Sequence, residues 1–217
     1  MHPSFNEIAV TVRKAAVGCG WPHGLAEDIA AAAVWLVAQG QDGVGAALMA
    51  SAAGPQASSA SNAGSDLIFN GPCGAAQGVS ALDMLEINPE LRVEMHSPVA
   101  PLLVCGLAGC AARDRGVSFL IAGDNDWTVL VTADGLAPRD AGWRTAIDQT
   151  ARLILRTDAR AGGSATRRVP VTVTPSAQPI VDDTVWQHAL ALAARTHVAP
   201  SEASRLRGAG AGLTDND

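Results

Sequence analysis

The apolar pattern of this chain changes period once, and that change constrains its fold more than any other feature. Through residue 51, hydrophobic side chains recur at three- and four-residue spacing; from residue 66 they mostly gather in short runs between turn residues. Helices in one block, then mostly strands, without strict strand–helix alternation, predict an α+β fold. The expected architecture is an amino-terminal helical unit packed on a mixed, mostly antiparallel sheet, with a buried central helix and a carboxy-terminal helix. The chain of 217 residues divides into a helical unit over 1–51, a flexible loop over 52–65 and an α+β body over 66–217, one domain overall.

Local signals place the elements. Ser4 and Glu7 form a capping box ahead of Phe5, Ile8, Val12 and Ala16, and Gly18 and Gly20 close that helix. Pro22 opens a second helix with Leu25, Ile29, Ala33 and Leu36 on one stripe, and a third is expected over 44–53. Residues 52–65 are rich in Ala, Ser and Gly without periodicity and read as a connector. Strands are expected near 66–69, 79–87, 91–96, 151–156 and 169–174, and a hairpin from 117–121 and 128–132. Residues 99–115 read as a buried helix whose Gly106 and Gly109 allow a neighbour to approach closely. Asp182 or Asp183 caps a helix over 184–196, and Pro200 opens a last short one.

Charge excludes some function classes. A net charge of -6 without a large basic cluster argues against nucleic-acid binding. No apolar stretch is long enough to span a bilayer and no secretory leader is legible, so the expected location is cytoplasmic and free of membranes. With only 17% charged residues and much Ala and Gly, the surface suits a homo-oligomer. The four cysteines form no CxxC, so neither zinc nor a disulfide framework is indicated. Cys105 and Cys110 sit in an apolar helical pattern and read as small core residues.

Two ends of the chain concentrate polar, geometrically permissive residues. Near the start, His23 and Glu27 are four apart on one helix face beside Trp21, a spacing that suits proton handling or a shared metal. Near the end, Arg205 and Arg207 precede Gly208, Gly210 and Gly212, and Thr214, Asp215, Asn216 and Asp217 follow. Glycine backbone amides and arginines can hold an anion, while Asp215 adds a carboxylate for acid–base work or a divalent ion. Cys73, in the turn Gly71-Pro72-Cys73-Gly74, is a candidate thiol nucleophile for which His96 could serve as base. The plainer alternatives are a surface His beside a first-turn Glu, an idle turn cysteine and a frayed terminus.

Ser4-Phe5-Asn6-Glu7-Ile8, Arg13-Lys14-Ala15-Ala16, and Gly20-Trp21 through Gly24-Leu25-Ala26-Glu27 resemble the opening of an uncharacterised bacterial family, a domain of unknown function. The resemblance continues through Ser97-Pro98-Val99-Ala100-Pro101-Leu102-Leu103 to Ser204-Arg205-Leu206-Arg207-Gly208-Ala209-Gly210-Ala211-Gly212 and Asp215-Asn216-Asp217. It implies a stand-alone protein of about this length and supplies no catalytic residues or cofactor. Two functions of different class follow from the residues. One is a small-molecule-binding protein, a candidate catabolic enzyme for an anionic metabolite, with its site where residues 21–27 meet the tail. The other is a non-catalytic oligomeric accessory protein.

Overall fold

The computed structural model describes residues 1–55, 57–72, 74–158 and 179–196. Three helices open the chain: α1 (Phe5–Gly18), α2 (His23–Ala38) and α3 (Gly43–Ala53). The Ser4 hydroxyl accepts from the Glu7 amide at 3.2 Å and the Glu7 carboxylate accepts from the Ser4 amide at 2.7 Å, so the capping box forms as expected. Asp42 caps α3 by accepting from the Gly45 amide at 2.8 Å. Alanine lines the contacts between these helices, which lets their backbones lie close together.

Seven strands follow: β1 (Ser59–Ala63), β2 (Asp66–Asn70), β3 (Arg92–His96), β4 (Phe119–Gly123), β5 (Thr128–Thr132), β6 (Gly135–Pro138) and β7 (Arg152–Thr157). Their order in the sheet is β1-β2-β3-β7-β4-β5-β6. The β2–β3 pair is parallel and every other pair antiparallel. Between β2 and β3 the chain crosses through α4 (Ala75–Ile87), as a parallel pair requires. Helix α5 (Pro101–Arg115) separates β3 from β4, the short α6 (Trp143–Ile147) precedes β7, and α7 (Asp183–Ala193) runs into a 3-10 turn (Ala194–Thr196) that ends the described residues.

The α+β architecture expected from the sequence is therefore present, with α5 buried along most of its length and α7 packed on α1. Two local expectations are corrected. Residues 79–87 are helix rather than strand: Gln77, Gly78, Ala81, Leu82 and Leu85 are buried at helical spacing, and Gln77 accepts from the Gly74 amide at 2.9 Å at the helix start. Residues 52–65 are not all connector, because 59–63 pair with β2 through a turn at Gly64, whose φ is 65°. An edge strand of small polar residues carries no apolar signal; its partner supplies the hydrogen bonds. The strand expected at 169–174, the helix after Pro200 and the Gly-Ala tail lie outside the described residues.

One core joins both layers. Val93, Met95, Leu153, Leu155, Phe119, Ile121, Val129 and Val131 point from the sheet into the same apolar cluster as Ile8, Ile29, Leu36 and Leu103 from the helices. Helices α1 to α5 and α7 contact one another as a connected layer, which reaches the strands through α4 and α5. The second face of the sheet therefore points away from them. No described helix is long and apolar enough to cross a membrane.

Candidate functional site

The face of the sheet turned away from the helices carries the densest charge cluster among the described residues. Alternation along β3 sends Val93 and Met95 inward and Arg92, Glu94 and His96 outward. On β7, Leu153 and Leu155 point in while Arg152, Ile154 and Arg156 point out. On β2, Leu67 and Phe69 are buried and Asp66, Ile68 and Asn70 lie on the outer face. Strand register then sets Ile68, Glu94 and Ile154 in one row, and places His96 directly opposite Arg152.

Glu94 is the centre of this cluster, with only 9% of its side chain exposed. Its Oε1 lies 2.7 Å from His96 Nε2 and 3.4 Å from an Arg152 Nη, and its Oε2 lies 3.2 Å from an Arg92 Nη. Arg92 also reaches Asp66 at 2.5 Å. Burial alone pushes the Glu94 carboxyl upward, but the His96 hydrogen bond and the Arg152 and Arg92 charges together outweigh it, and it lies below the ordinary carboxylate range. An ionised carboxylate can only accept, so His96 donates to Glu94 from Nε2, which leaves Nδ1 as the ring nitrogen not held by this bond. The His96 side chain is 40% exposed and that of Arg152 47%, so both reach solvent. A fixed imidazole beside a guanidinium can hold an anion and exchange a proton with it.

The backbone just beyond His96 is unusual. Ser97 and Ala100 have φ of 49° and 54°, two of only three described non-glycine residues in the left-handed region. Such residues cost of order 1 kcal/mol each and persist where the surroundings hold them. Here the Ser97 amide donates to the Ala151 carbonyl at 2.8 Å, which ties the end of β3 to the start of β7. The tight turn delivers the chain from His96 straight into α5.

The residues singled out from the sequence are distributed differently. Trp21 is 4% exposed, and its indole N–H donates to the Ser51 carbonyl at 3.4 Å inside the helical unit. His23 and Glu27 are exposed in the first turns of α2, where Glu27 meets Arg13 at 3.4 Å. Among the described residues no group of three or more His, Cys, Asp or Glu is placed to hold a metal ion. Arg205, Arg207, Gly208, Gly210, Gly212, Thr214, Asp215, Asn216, Asp217 and Cys73 lie outside the described residues. Cys105 is buried in α5 with its thiol pushed up by burial to about 12, and Cys110 is raised to about 11 for the same reason, so neither is a nucleophile at neutral pH.

Sequence reasoning noted His96 but passed over Glu94, Arg92, Asp66 and Arg152. The signal available was Arg92-Val93-Glu94-Met95-His96 itself, polar at every second position of an expected strand. Concavities elsewhere are poorer candidates. One of about 350 Å³ beside Val37 and Ile180 has two carboxylates, Asp42 and Asp182, and both already cap helices. Another of about 490 Å³ between α3 and α7 is lined by Leu48, Met49, Ala52 and Val185 with Thr184 and His188.

The comparisons with known proteins bear mainly on the amino-terminal end. A family model described as a protein of unknown function (DUF3726) matches residues 3–59, from α1 to the start of β1. The resembling motifs near residues 97–103 and 204–217 fall beyond that match. No curated protein matches the chain. Among solved structures, malate dehydrogenase from Entamoeba histolytica is similar at 14% identity and a TM-score of 0.43, over 65% of this chain and 47% of that enzyme. The chain thus spans less than half the length of the enzyme it is compared with.

Proposed function

We propose that this chain is a small-anion-binding protein whose site lies on the outer face of the sheet around His96 and Arg152, with His96 as its proton-exchanging group. The supporting observation is the contrast within one hydrogen bond: Glu94 is 9% exposed, while the imidazole it holds is 40% exposed. A buried carboxylate that orients an accessible imidazole fixes which nitrogen can act on a ligand. Arg152, opposite His96 in register, spends one nitrogen on Glu94 at 3.4 Å and leaves the rest of its fork for a carboxylate or phosphate.

The test is titration with acetate and with inorganic phosphate, followed through the imidazole resonances of His96, assigned by their loss in His96→Gln. Ions of four or five heavy atoms should saturate with a Kd of about 1 to 10 mM. The shift should disappear in Arg152→Gln while the other four histidines are unaffected. Resonances of His96 that ignore both anions, or that respond equally in Arg152→Gln, overturn the proposal.

A further inference from the structure

We infer that the ligand of this face is a small zwitterion, an amino acid, whose carboxylate sits on Arg152 and His96 and whose ammonium meets Asp124. This rests on the anion-site reading above and adds the chemical class of the ligand. Alternation along β4 buries Phe119 and Ile121 and turns Leu120 and Ala122 to the outer face; the next residue in the outward series is Asp124. Register pairs Ala122 with Ile154 and Gly123 with Leu153, so one step further Asp124 comes opposite Arg152. Arg152 in turn lies opposite His96. Imidazole, guanidinium and carboxylate therefore stand in one row, on β3, on β7 and just past the end of β4.

Asp124 is fixed in that row. Its Oδ1 accepts from the Ala151 amide at 3.3 Å, and the Asn125 side-chain amide donates to the Gln149 carbonyl at 3.5 Å, which ties the turn after β4 to the residues leading into β7. Asp124 is exposed, and among the described residues its Oδ2 has no hydrogen bond and its carboxylate no ion pair. Arg152 leans the other way, toward Glu94 at 3.4 Å. Opposite charges on neighbouring strands, each held by a third group, leave a gap that a ligand carrying both charges can close. Adjacent strands are about 4.8 Å apart, so the two charges of that ligand must lie within a few bonds of each other.

The other carboxylates of this face are not available in the same way. Glu94 is 9% exposed and already meets His96, Arg152 and Arg92, and Asp66 is taken by Arg92. Asp158 follows the far end of β7, beyond Arg156. The backbone marks the same row. Ser97, Ala100 and Asp126 are the three described non-glycine residues in the left-handed region, and they lie in the two turns that bound it, after His96 and after Asp124. The order of charge along the row then sets the pose, with the carboxylate between His96 and Arg152 and the ammonium beyond Arg152.

The test follows the His96 imidazole resonances of the full chain through titrations with acetate, glycine and methylammonium at equal ionic strength. Glycine differs from acetate by its ammonium alone and should bind about two- to fivefold more tightly, the range of an exposed ion pair. In Asp124→Asn, which keeps an oxygen for the Ala151 amide, glycine should fall to the level of acetate, and acetate should bind no more weakly than before. Arg152→Gln should remove both. Glycine no tighter than acetate, or an advantage that survives Asp124→Asn, overturns the zwitterion inference and keeps the anion site. A response to methylammonium equal to that for glycine overturns it as well, by making Asp124 a site for any cation. Silence toward acetate, glycine and inorganic phosphate alike removes the underlying site.

Discussion

Gly109→Ala is the sharpest test of how the helical layer is built. A Cβ placed on Gly109 of α5 would sit 2.3 to 2.5 Å from the Cε2, Cζ2 and Cδ2 atoms of the Trp35 indole on α2. Carbon atoms in contact prefer about 3.5 to 4.0 Å, so more than 1 Å of room must be found. The ring is 5% exposed and cannot swing into solvent, which leaves separation of α2 and α5 as the main relief. Overpacking of this kind costs about 1 to 3 kcal/mol, and a clash with a rigid ring belongs at the upper end. Alanine returns up to about 1 kcal/mol through helix propensity. Packing wins, and the net loss should be about 2 kcal/mol. For a chain of this size that is a fall in Tm of roughly 4 to 8 °C. Gly24, in the first turn of α2, has nothing within 4 Å of its added Cβ, so Gly24→Ala should be neutral or stabilise by up to about 1 kcal/mol. Urea unfolding of both variants, with midpoints compared at equal m-value, measures the difference. A Gly109→Ala protein as stable as its parent would refute the close crossing of α2 and α5.

Three further outcomes are expected. Glu94→Val should alter stability by no more than about 1 kcal/mol at neutral pH, because Arg92 keeps Asp66 at 2.5 Å and both Arg152 and His96 reach solvent, while the His96 response to anions should vanish. Because the folded carboxyl of Glu94 lies below the ordinary carboxylate range, its contribution is present above that range and lost as pH falls through the folded value; the Val variant should therefore show a shallower acid limb in urea midpoints, and an unchanged limb would count against the linkage. The carboxyl of Asp28 is raised by burial and by the charges of Asp83 and Glu27, so Asp28→Asn should stabilise by about 0.5 kcal/mol at neutral pH, with the gain disappearing in acid, where the parent is also neutral. Asp182 accepts from the Thr184 and Val185 amides at 2.8 and 3.1 Å, and Asp182→Ala should cost about 1 kcal/mol in thermal unfolding, whereas Asp182→Asn should retain most of the cap.

Local chemistry made much of the fold readable in advance. The Ser4 box, the Asp182 cap and the apolar stripes of α1 and α2 are decided within a few residues, so a linear reading finds them. The glycines of α5 also announced a close crossing before the partner helix was known. What escaped depends on distant partners. Residues 59–63 are too short and polar to declare a strand, and only β2 makes them one. In α4, Val79 and Ile87 mimic a strand, while the buried Gln77 and Gly78 reveal a helical face only once α5 lies against it. The charge cluster is a stronger case: Arg152 is 58 positions from Glu94, and Asp66 is 26 from Arg92. Strand register, which no short window encodes, brings them together.

The cluster has one structural task and one feature that this task does not explain. Parallel strands usually have both faces covered, and among the described residues the helices that reach the sheet lie on one side of β2 and β3. On the other side the Asp66–Arg92–Glu94 chain of ion pairs lies across that parallel pair. An aliphatic row would cover it equally well, since Ile68 and Ile154 already flank Glu94, and replacing buried charges by packed apolar groups is often neutral or favourable. Covering the sheet therefore accounts for large side chains on this face but not for their being ionised. Nor does it account for His96, which is too exposed to shield anything, or for the left-handed turn at Ser97 and Ala100 that follows it. His96 and that turn stand together at the carboxy-terminal end of β3, where Glu94 holds the imidazole and 40% of its side chain is exposed. An anion paired with Arg152 and exchanging a proton with His96, as proposed above, would account for the charges and for the exposed imidazole.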